Sequence, residues 1–250
     1  MKSAIYQQLL KISEDNRAGF ILLLDPDKLP LDRLQKRIDH AVAAGVDAFF
    51  VGGSLLHGQD FDRIVLEIKK EAADHPVIIF PGSLFQISRH ADAILFLSLI
   101  SGRNPEYLIG SQAAAAPVIQ KMNLEAISCG YMLIESGAMT SVQYISNSLP
   151  IPRDKPELAL AHALAGQFLG MKSIYLEAGS GAKQSVPETT ISLLRKNLRI
   201  PLIVGGGIRT PEEARQKARA GADFVVIGNF FEEDGNHARM REFADAIHGG

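Results

Sequence analysis

Short apolar runs alternate with longer stretches of helical periodicity along the 250 residues of the chain. The runs are Phe20–Leu24, Ala48–Val51, Val77–Phe80, Ile94–Leu97, Ala126–Ile134, Ser173–Leu176, Leu202–Val204 and Phe224–Ile227. Most are rich in Val, Ile, Leu and Phe, and most are followed by Gly, Asp or Ser. Unbroken apolar runs of this length mark strands buried on both faces, as in a parallel sheet covered by helices. Eight of them in 250 residues fit a closed barrel better than an open doubly wound sheet. The predicted class is therefore α/β, a TIM-type (β/α)8 barrel. No Pro/Ser-rich linker interrupts it, so one domain over residues 1–250 is expected.

Several helix starts are legible. Thr210-Pro211-Glu212-Glu213 places a capping Thr before Pro at the first helical position, with Glu three residues after the cap. Pro156-Glu157 and Pro187-Glu188 open two more. The connection between the runs at Val77 and Ile94 carries Pro81, Gly82 and the segment Ser83–Arg89. It leaves little room for a full crossover helix, so the helical ring is expected to be incomplete around the third strand.

Composition narrows the function classes. Hydrophobic residues make up 46% and charged residues 22%, the balance of a globular protein with a large core. The net charge of −2, without a Lys/Arg block, gives no field that would draw nucleic acid. The single cysteine, Cys129, cannot form an intrachain disulfide and reads as a small core residue, which fits a reducing, cytoplasmic setting. Met1-Lys2-Ser3-Ala4-Ile5-Tyr6 does not begin a signal peptide. No apolar run approaches the roughly 20 residues of a membrane span; Leu158–Gly170 is too short and contains His162 and Gln167. A lipid substrate would be met from the aqueous side.

Three segments carry chemistry. Val204-Gly205-Gly206-Gly207-Ile208-Arg209 follows the seventh run and Val226-Ile227-Gly228-Asn229 the eighth. Glycines let backbone N–H groups approach an anion, and barrel enzymes often hold phosphate between the loops after strands seven and eight. A lone glycine cluster reads equally well as a tight turn; two at barrel spacing favour phosphate. The second segment is Tyr175-Leu176-Glu177-Ala178-Gly179-Ser180-Gly181. Alternation along a strand puts Tyr175 and Glu177 on one side, near the mouth of the site, with more N–H donors in Gly-Ser-Gly. A structural ion pair is the alternative for Glu177. The third is Leu24-Asp25-Pro26-Asp27-Lys28, where carboxylates at a strand end suit a hard cation such as Mg²⁺, although Asp-Pro-Asp is also good turn chemistry. Ser54, after Gly52-Gly53, brings a hydroxyl that suits a metal or phosphate. Zinc-ligand spacings, a P-loop and the Asp-Asp-x-x-Asp motif of helical prenyl-chain synthases are absent from the sequence.

Leu-Asp-Pro-Asp-Lys at 24–28, Val-Gly-Gly-Ser at 51–54, Phe-Pro-Gly-Ser at 80–83, Tyr-Leu-Glu-Ala-Gly-Ser-Gly at 175–181, Val-Gly-Gly-Gly-Ile-Arg at 204–209 and Ile-Gly-Asn at 227–229 occur together and in order. In this the chain resembles the geranylgeranylglyceryl phosphate synthase family, which includes bacterial heptaprenylglyceryl phosphate synthases, from about residue 20 to 230. The segment 175–181 is the most specific; the glycine segments are shared with many phosphate-binding barrels.

The resemblance implies Mg²⁺-dependent transfer of a prenyl chain from its diphosphate to the C3 hydroxyl of sn-glycerol 1-phosphate. It implies that Asp25 binds the metal with Ser54 nearby. Tyr175 and Glu177 would bind the glycerol moiety, with Glu177 accepting the hydroxyl proton. Tyr175, Leu176, Glu177, Ala178, Gly179, Ser180, Gly181, Gly206, Gly207, Gly228 and Asn229 would hold glycerol 1-phosphate. The tail would lie in an apolar groove near the gap in the helical ring. A homo-oligomer is implied too, with peripheral membrane contact for product release. One departure is Leu23, where many bacterial members have Lys; Lys28 is the candidate substitute. Ser54 stands where many have Thr. The Leu-Asp-Pro-Asp and Ala-Gly-Ser-Gly variants favour a C20 chain. The competing readings are another phosphate-binding barrel enzyme, an isomerase or thiamin-phosphate-type synthase, and a non-catalytic phosphate-binding module.

Overall fold

The computed structural model describes residues 4–16, 18–29, 31–54, 60–233 and 235–249. Eight parallel strands close into a barrel in sequence order: β1 Gly19–Leu24, β2 Ala48–Val51, β3 Val77–Ile79, β4 Ala93–Leu99, β5 Glu125–Leu133, β6 Ser173–Glu177, β7 Leu202–Gly205 and β8 Phe224–Ile227. Pairing of Gly19–Leu22 with Phe224–Ile227 closes the ring. The helices are α1 Ala4–Asn16, α2 Leu31–Ala44, α3 Phe61–Glu71, α4 Ser111–Met122, α5 Ser141–Ser146, α6 Pro156–Phe168, α7 Glu188–Asn197, α8 Pro211–Ala220 and α9 Met240–His248.

The continuous apolar runs are explained by burial on both faces. Ile21, Phe50, Ile78, Leu95, Ile127 and Cys129 fill the barrel interior. Phe20, Leu22, Phe49, Val51, Leu176 and Val204 alternate with them and pack outward under the helices. Cys129 is buried and free, and burial pushes its thiol up to about 12, so it is a core residue. At the N-terminal end of the barrel, Ile5, Tyr6 and Ile12 of α1 pack on the interior cluster. There the Glu125 carboxylate accepts from Ile5 N–H at 2.9 Å and Tyr6 N–H at 3.0 Å, supplying two donors at the helix start with an acceptor. The box at Thr210–Glu213 forms as its sequence predicts.

Residues 80–92, between β3 and β4, contain no helix, so the ring is open at the expected place. Gln86, fully buried, replaces the missing element as a polar staple. Its Oε1 accepts from Gly82 N–H at 3.0 Å and Gly53 N–H at 3.3 Å, and its Nε2 donates to the Gly53 carbonyl at 2.8 Å. The loops after β2 and β3 are thereby fixed to each other, which places Ser54. Among the described residues, no helix is long and apolar enough to cross a membrane.

Replacing Gln86 with Leu keeps the volume but orphans two part-buried N–H groups and a carbonyl. At about 1–3 kcal/mol per unsatisfied group, the variant should unfold at clearly lower urea concentration with an unchanged slope. An unchanged midpoint would show that the staple is dispensable.

Candidate active site

The C-terminal ends of the strands open into one cavity of about 1000 Å³. Its floor is built by β5 and β6. Tyr175 and Glu177 both point inward, as alternation requires, and Tyr131 on β5 lies opposite Tyr175 in the strand register. Tyr175 is 1% exposed, Glu177 6% and Tyr131 8%. The Gly179 N–H donates to Glu177 Oε1 at 2.6 Å, and the phenols of Tyr175 and Tyr131 lie close enough to stabilise the charged form of the same carboxylate. Burial is the largest influence and raises Glu177, while the Gly179 N–H and the two phenols act to lower it; the outcome is about 7. Burial first, and then the charge of Glu177, push both phenols well above the usual tyrosine value, so they remain protonated donors. Phe80 stacks on Tyr175, with ring centroids 5.2 Å apart and planes 13° from parallel.

The neighbouring strand explains two of the glycines. A Cβ at Gly205 would fall on the Tyr175 hydroxyl, and one at Gly206, where φ is +85°, would fall on Glu177 Oε1. Any side chain in either place would displace the phenol or the carboxylate.

Gly206, Gly207, Gly228, Asn229, Gly179, Ser180 and Gly181 all line the cavity, as the sequence predicts. Asn229 Nδ2 donates to Ser180 Oγ at 2.7 Å, tying the loop after β8 to the loop after β6. Leu176 and Ala178 do not present side chains here. Leu176 packs in the layer between sheet and helices, and Ala178 lines a separate smaller pocket. The Ala178 N–H is taken by the Gly205 carbonyl and the Gly179 N–H by Glu177, which removes two of the expected backbone donors from the Tyr175–Gly181 segment. Arg209, to which the sequence reading gave no role, also lines the cavity; its guanidinium is anchored on the Ala182 carbonyl at 2.7 Å.

Across the cavity, Asp25 caps a 3-10 turn, Pro26–Lys28, and Oδ1 accepts from Asp27 N–H at 3.1 Å. The segment folds as a turn, and Asp25, Asp27 and Ser54 also line the cavity. Lys28 Nζ lies 3.4 Å from Asp25 Oδ2 and 2.8 Å from Glu232 Oε2. Burial opposes the charge on Lys28, but Glu232 and Asp25 outweigh it and raise its pKa. Leu23 gives the cavity an apolar wall, so Lys28 is the cation that reaches Asp25. Among the described residues, no group of three or more His, Cys, Asp or Glu could cage a metal. One carboxylate and one hydroxyl on the wall of this cavity do fit Mg²⁺, which keeps several waters and shares substrate oxygens.

The rest of the cavity is lined mainly by apolar side chains, with Glu106, Ser111, Gln112, Ser141 and Ser146 among them. It runs past Ile87, Tyr107 and Ile119 to Ile145, and Phe85 stands 85% exposed at its lip.

The sequence profile of the PcrB family matches residues 11–247. The chain belongs to the PcrB family, that of the geranylgeranylglyceryl phosphate synthases. It is similar to the geranylgeranylglyceryl phosphate synthase of Chitinophaga pinensis, 44% identical over 248 residues, 99% of this chain and 97% of the relative. The enzyme of that name from Thermococcus gammatolerans is 46% identical over 230 residues, 92% of this chain and 90% of the relative. The crystal structure of (S)-3-O-geranylgeranylglyceryl phosphate synthase from Thermoplasma acidophilum in complex with substrate sn-glycerol-1-phosphate superposes with a TM-score of 0.89. It is 35% identical to this chain, and the match covers all of both chains. The family resemblance read from the sequence is borne out, and the geranylgeranylglyceryl phosphate synthase family makes this protein an enzyme.

The raised Glu177 pKa has a stability consequence. Between the ordinary value of 4.5 and about 7, the folded chain binds more protons than the unfolded chain. Stability is therefore full below the ordinary value and falls as pH rises through this window. The wild type should lose about 3 kcal/mol of this contribution between pH 4.5 and 8, whereas Glu177→Gln should not. Chemical denaturation of both proteins at pH 5 and pH 8 checks it; an equal gap at the two pH values would contradict the desolvated carboxylate.

Proposed function

We propose that the protein is a Mg²⁺-dependent prenyltransferase. It joins the chain of a prenyl diphosphate, geranylgeranyl diphosphate being favoured, to the C3 hydroxyl of sn-glycerol 1-phosphate, and it releases diphosphate. The observation that carries this reading is Glu177, a buried carboxylate with a pKa near 7, set between a glycine-lined wall and an apolar one. The sn-glycerol-1-phosphate bound by the Thermoplasma acidophilum relative supports it.

In this reading Gly206, Gly207, Gly228, Asn229 and Ser180 hold the phosphate, and Tyr175 and Glu177 orient the glycerol. Glu177 takes the C3 hydroxyl proton while the oxygen forms its bond to C1 of the prenyl chain. The C1–O bond to diphosphate breaks, and its electron pair leaves with diphosphate. Asp25, with Ser54 beside it, would hold Mg²⁺, which when bound neutralises the charge of the departing diphosphate. The apolar wall shields the prenyl carbon from water. We take the enzyme to be a cytoplasmic, one-domain homo-oligomer that meets its lipid substrate and product at the membrane face without crossing it.

Purified protein mixed with sn-glycerol 1-phosphate and C10 to C35 prenyl diphosphates should yield prenylglyceryl phosphate by mass spectrometry. Product should be greatest with C20, require Mg²⁺ and vanish with excess EDTA or with sn-glycerol 3-phosphate. Glu177→Gln should lower turnover by about 100-fold or more while the protein stays folded. No product from any pair would overturn the reading.

A further inference from the structure

We propose that Tyr131 is a positioning residue of this reaction, whose phenol holds the Glu177 carboxylate in its ionised, proton-accepting form and in its orientation. The inference rests on the reading of Glu177 as the base. Tyr131 stands opposite Tyr175 on the adjacent strand, and its ring packs against both Phe80, 5.9 Å away, and Tyr175, 5.3 Å away. This aromatic layer needs no hydroxyl for packing, since Phe80 takes part in it without one. The two phenols are the polar side-chain atoms of this layer, and both stabilise the charged form of Glu177. A hydroxyl kept in a buried aromatic layer must have a partner, and here the partner is the base itself.

The requirement for a second phenol follows from desolvation. An isolated carboxylate enclosed at this depth would take up a proton, and a protonated carboxyl accepts none from the substrate. The Gly179 N–H and the Tyr175 phenol are two donors to the charged form; Tyr131 is the third.

The groups around Glu177 are few. β5 presents Tyr131 and, one layer below, the neutral Cys129 thiol; β6 presents Tyr175; and β7 presents only Gly205 and Gly206. Among the described residues, the charged groups elsewhere on the cavity wall are Asp25, Asp27, Lys28, Glu106, Arg209, Glu232 and Glu233. None of them contributes to the displacement of Glu177. The two phenols are therefore the side chains through which its proton affinity is set.

The test is the pH profile of kcat/KM for Tyr131→Phe beside the wild type. Removing a hydrogen bond to a charged acceptor should move the acid limb up by about one pH unit. With the wild-type limb near 7, activity should fall about fivefold at pH 7 and return close to wild type above pH 9. Replacing Tyr131 with 3-fluorotyrosine, a stronger donor that keeps the ring, should move the limb down, and it serves where the Phe variant folds poorly. Carboxyl ¹³C NMR on free enzyme, with Glu177 assigned by its loss in Glu177→Gln, should show its titration displaced in the same directions. Uniform loss at every pH with an unmoved limb and an unmoved titration would overturn the proposal. Full activity in Glu177→Gln would instead overturn the base reading, leaving the NMR titration to decide what Tyr131 does to the carboxylate.

Discussion

A carboxylate enclosed almost completely by protein costs several kcal/mol unless donors meet it on every side. Around Glu177 these donors are one backbone N–H and two phenols, and much of the upper barrel is arranged to deliver them. The β5–β6 register sets Tyr131 beside Tyr175 below the carboxylate. Gly205 and Gly206 on the next strand must lack side chains, because the phenol and the carboxylate occupy the volume a Cβ would take. Phe80, just past the end of β3, closes the aromatic layer from across the barrel.

The barrel was legible because its strands are buried on both faces, which makes each one a continuous apolar word. The ends of the words were less so. β4 runs on through Ser98 to Leu99, where the Ser98 hydroxyl is satisfied by the Leu108 carbonyl at 2.7 Å. β5 starts at Glu125, a residue no strand pattern favours, because its carboxylate meets the start of α1 some 120 positions away. The partner at the first boundary lies 10 residues on, and the partner at the second 120 residues back.

The same division runs through the site. Period-two alternation was enough to pair Tyr175 with Glu177, and it also shows why Leu176 faces the helices. Applied to Ile127, Cys129, Tyr131 and Leu133, it would have put a tyrosine on the inner face of β5; a phenol inside an otherwise apolar strand was the available signal. Gln86 and the link from Lys28 to Glu232 had no such signal. Gln86 matters because two loops meet at it, and Lys28 finds its partner 204 residues away. The roles of Asp25 and Lys28 are set by the cavity they share rather than by the Asp-Pro-Asp-Lys string, which folds as an ordinary turn.

The missing helix between β3 and β4 completes the physical logic of the cavity. In a closed ring, the outward side chains of β4 would be covered by a helix and the inward ones by the barrel, and no single space could touch both. Here the cavity is lined by Leu95 and Leu97, which belong to the interior cluster, and also by Ile94 and Phe96, which pack with the outer layer. It therefore passes over the rim of β4, from the polar centre at Glu177 to an apolar trough outside the barrel. A rigid polar substrate would gain nothing from that passage. The division matches a molecule with a charged head and a long hydrocarbon tail, since the glycine loops and Asp25 line the polar end and the apolar end opens beside the loop that Gln86 fixes.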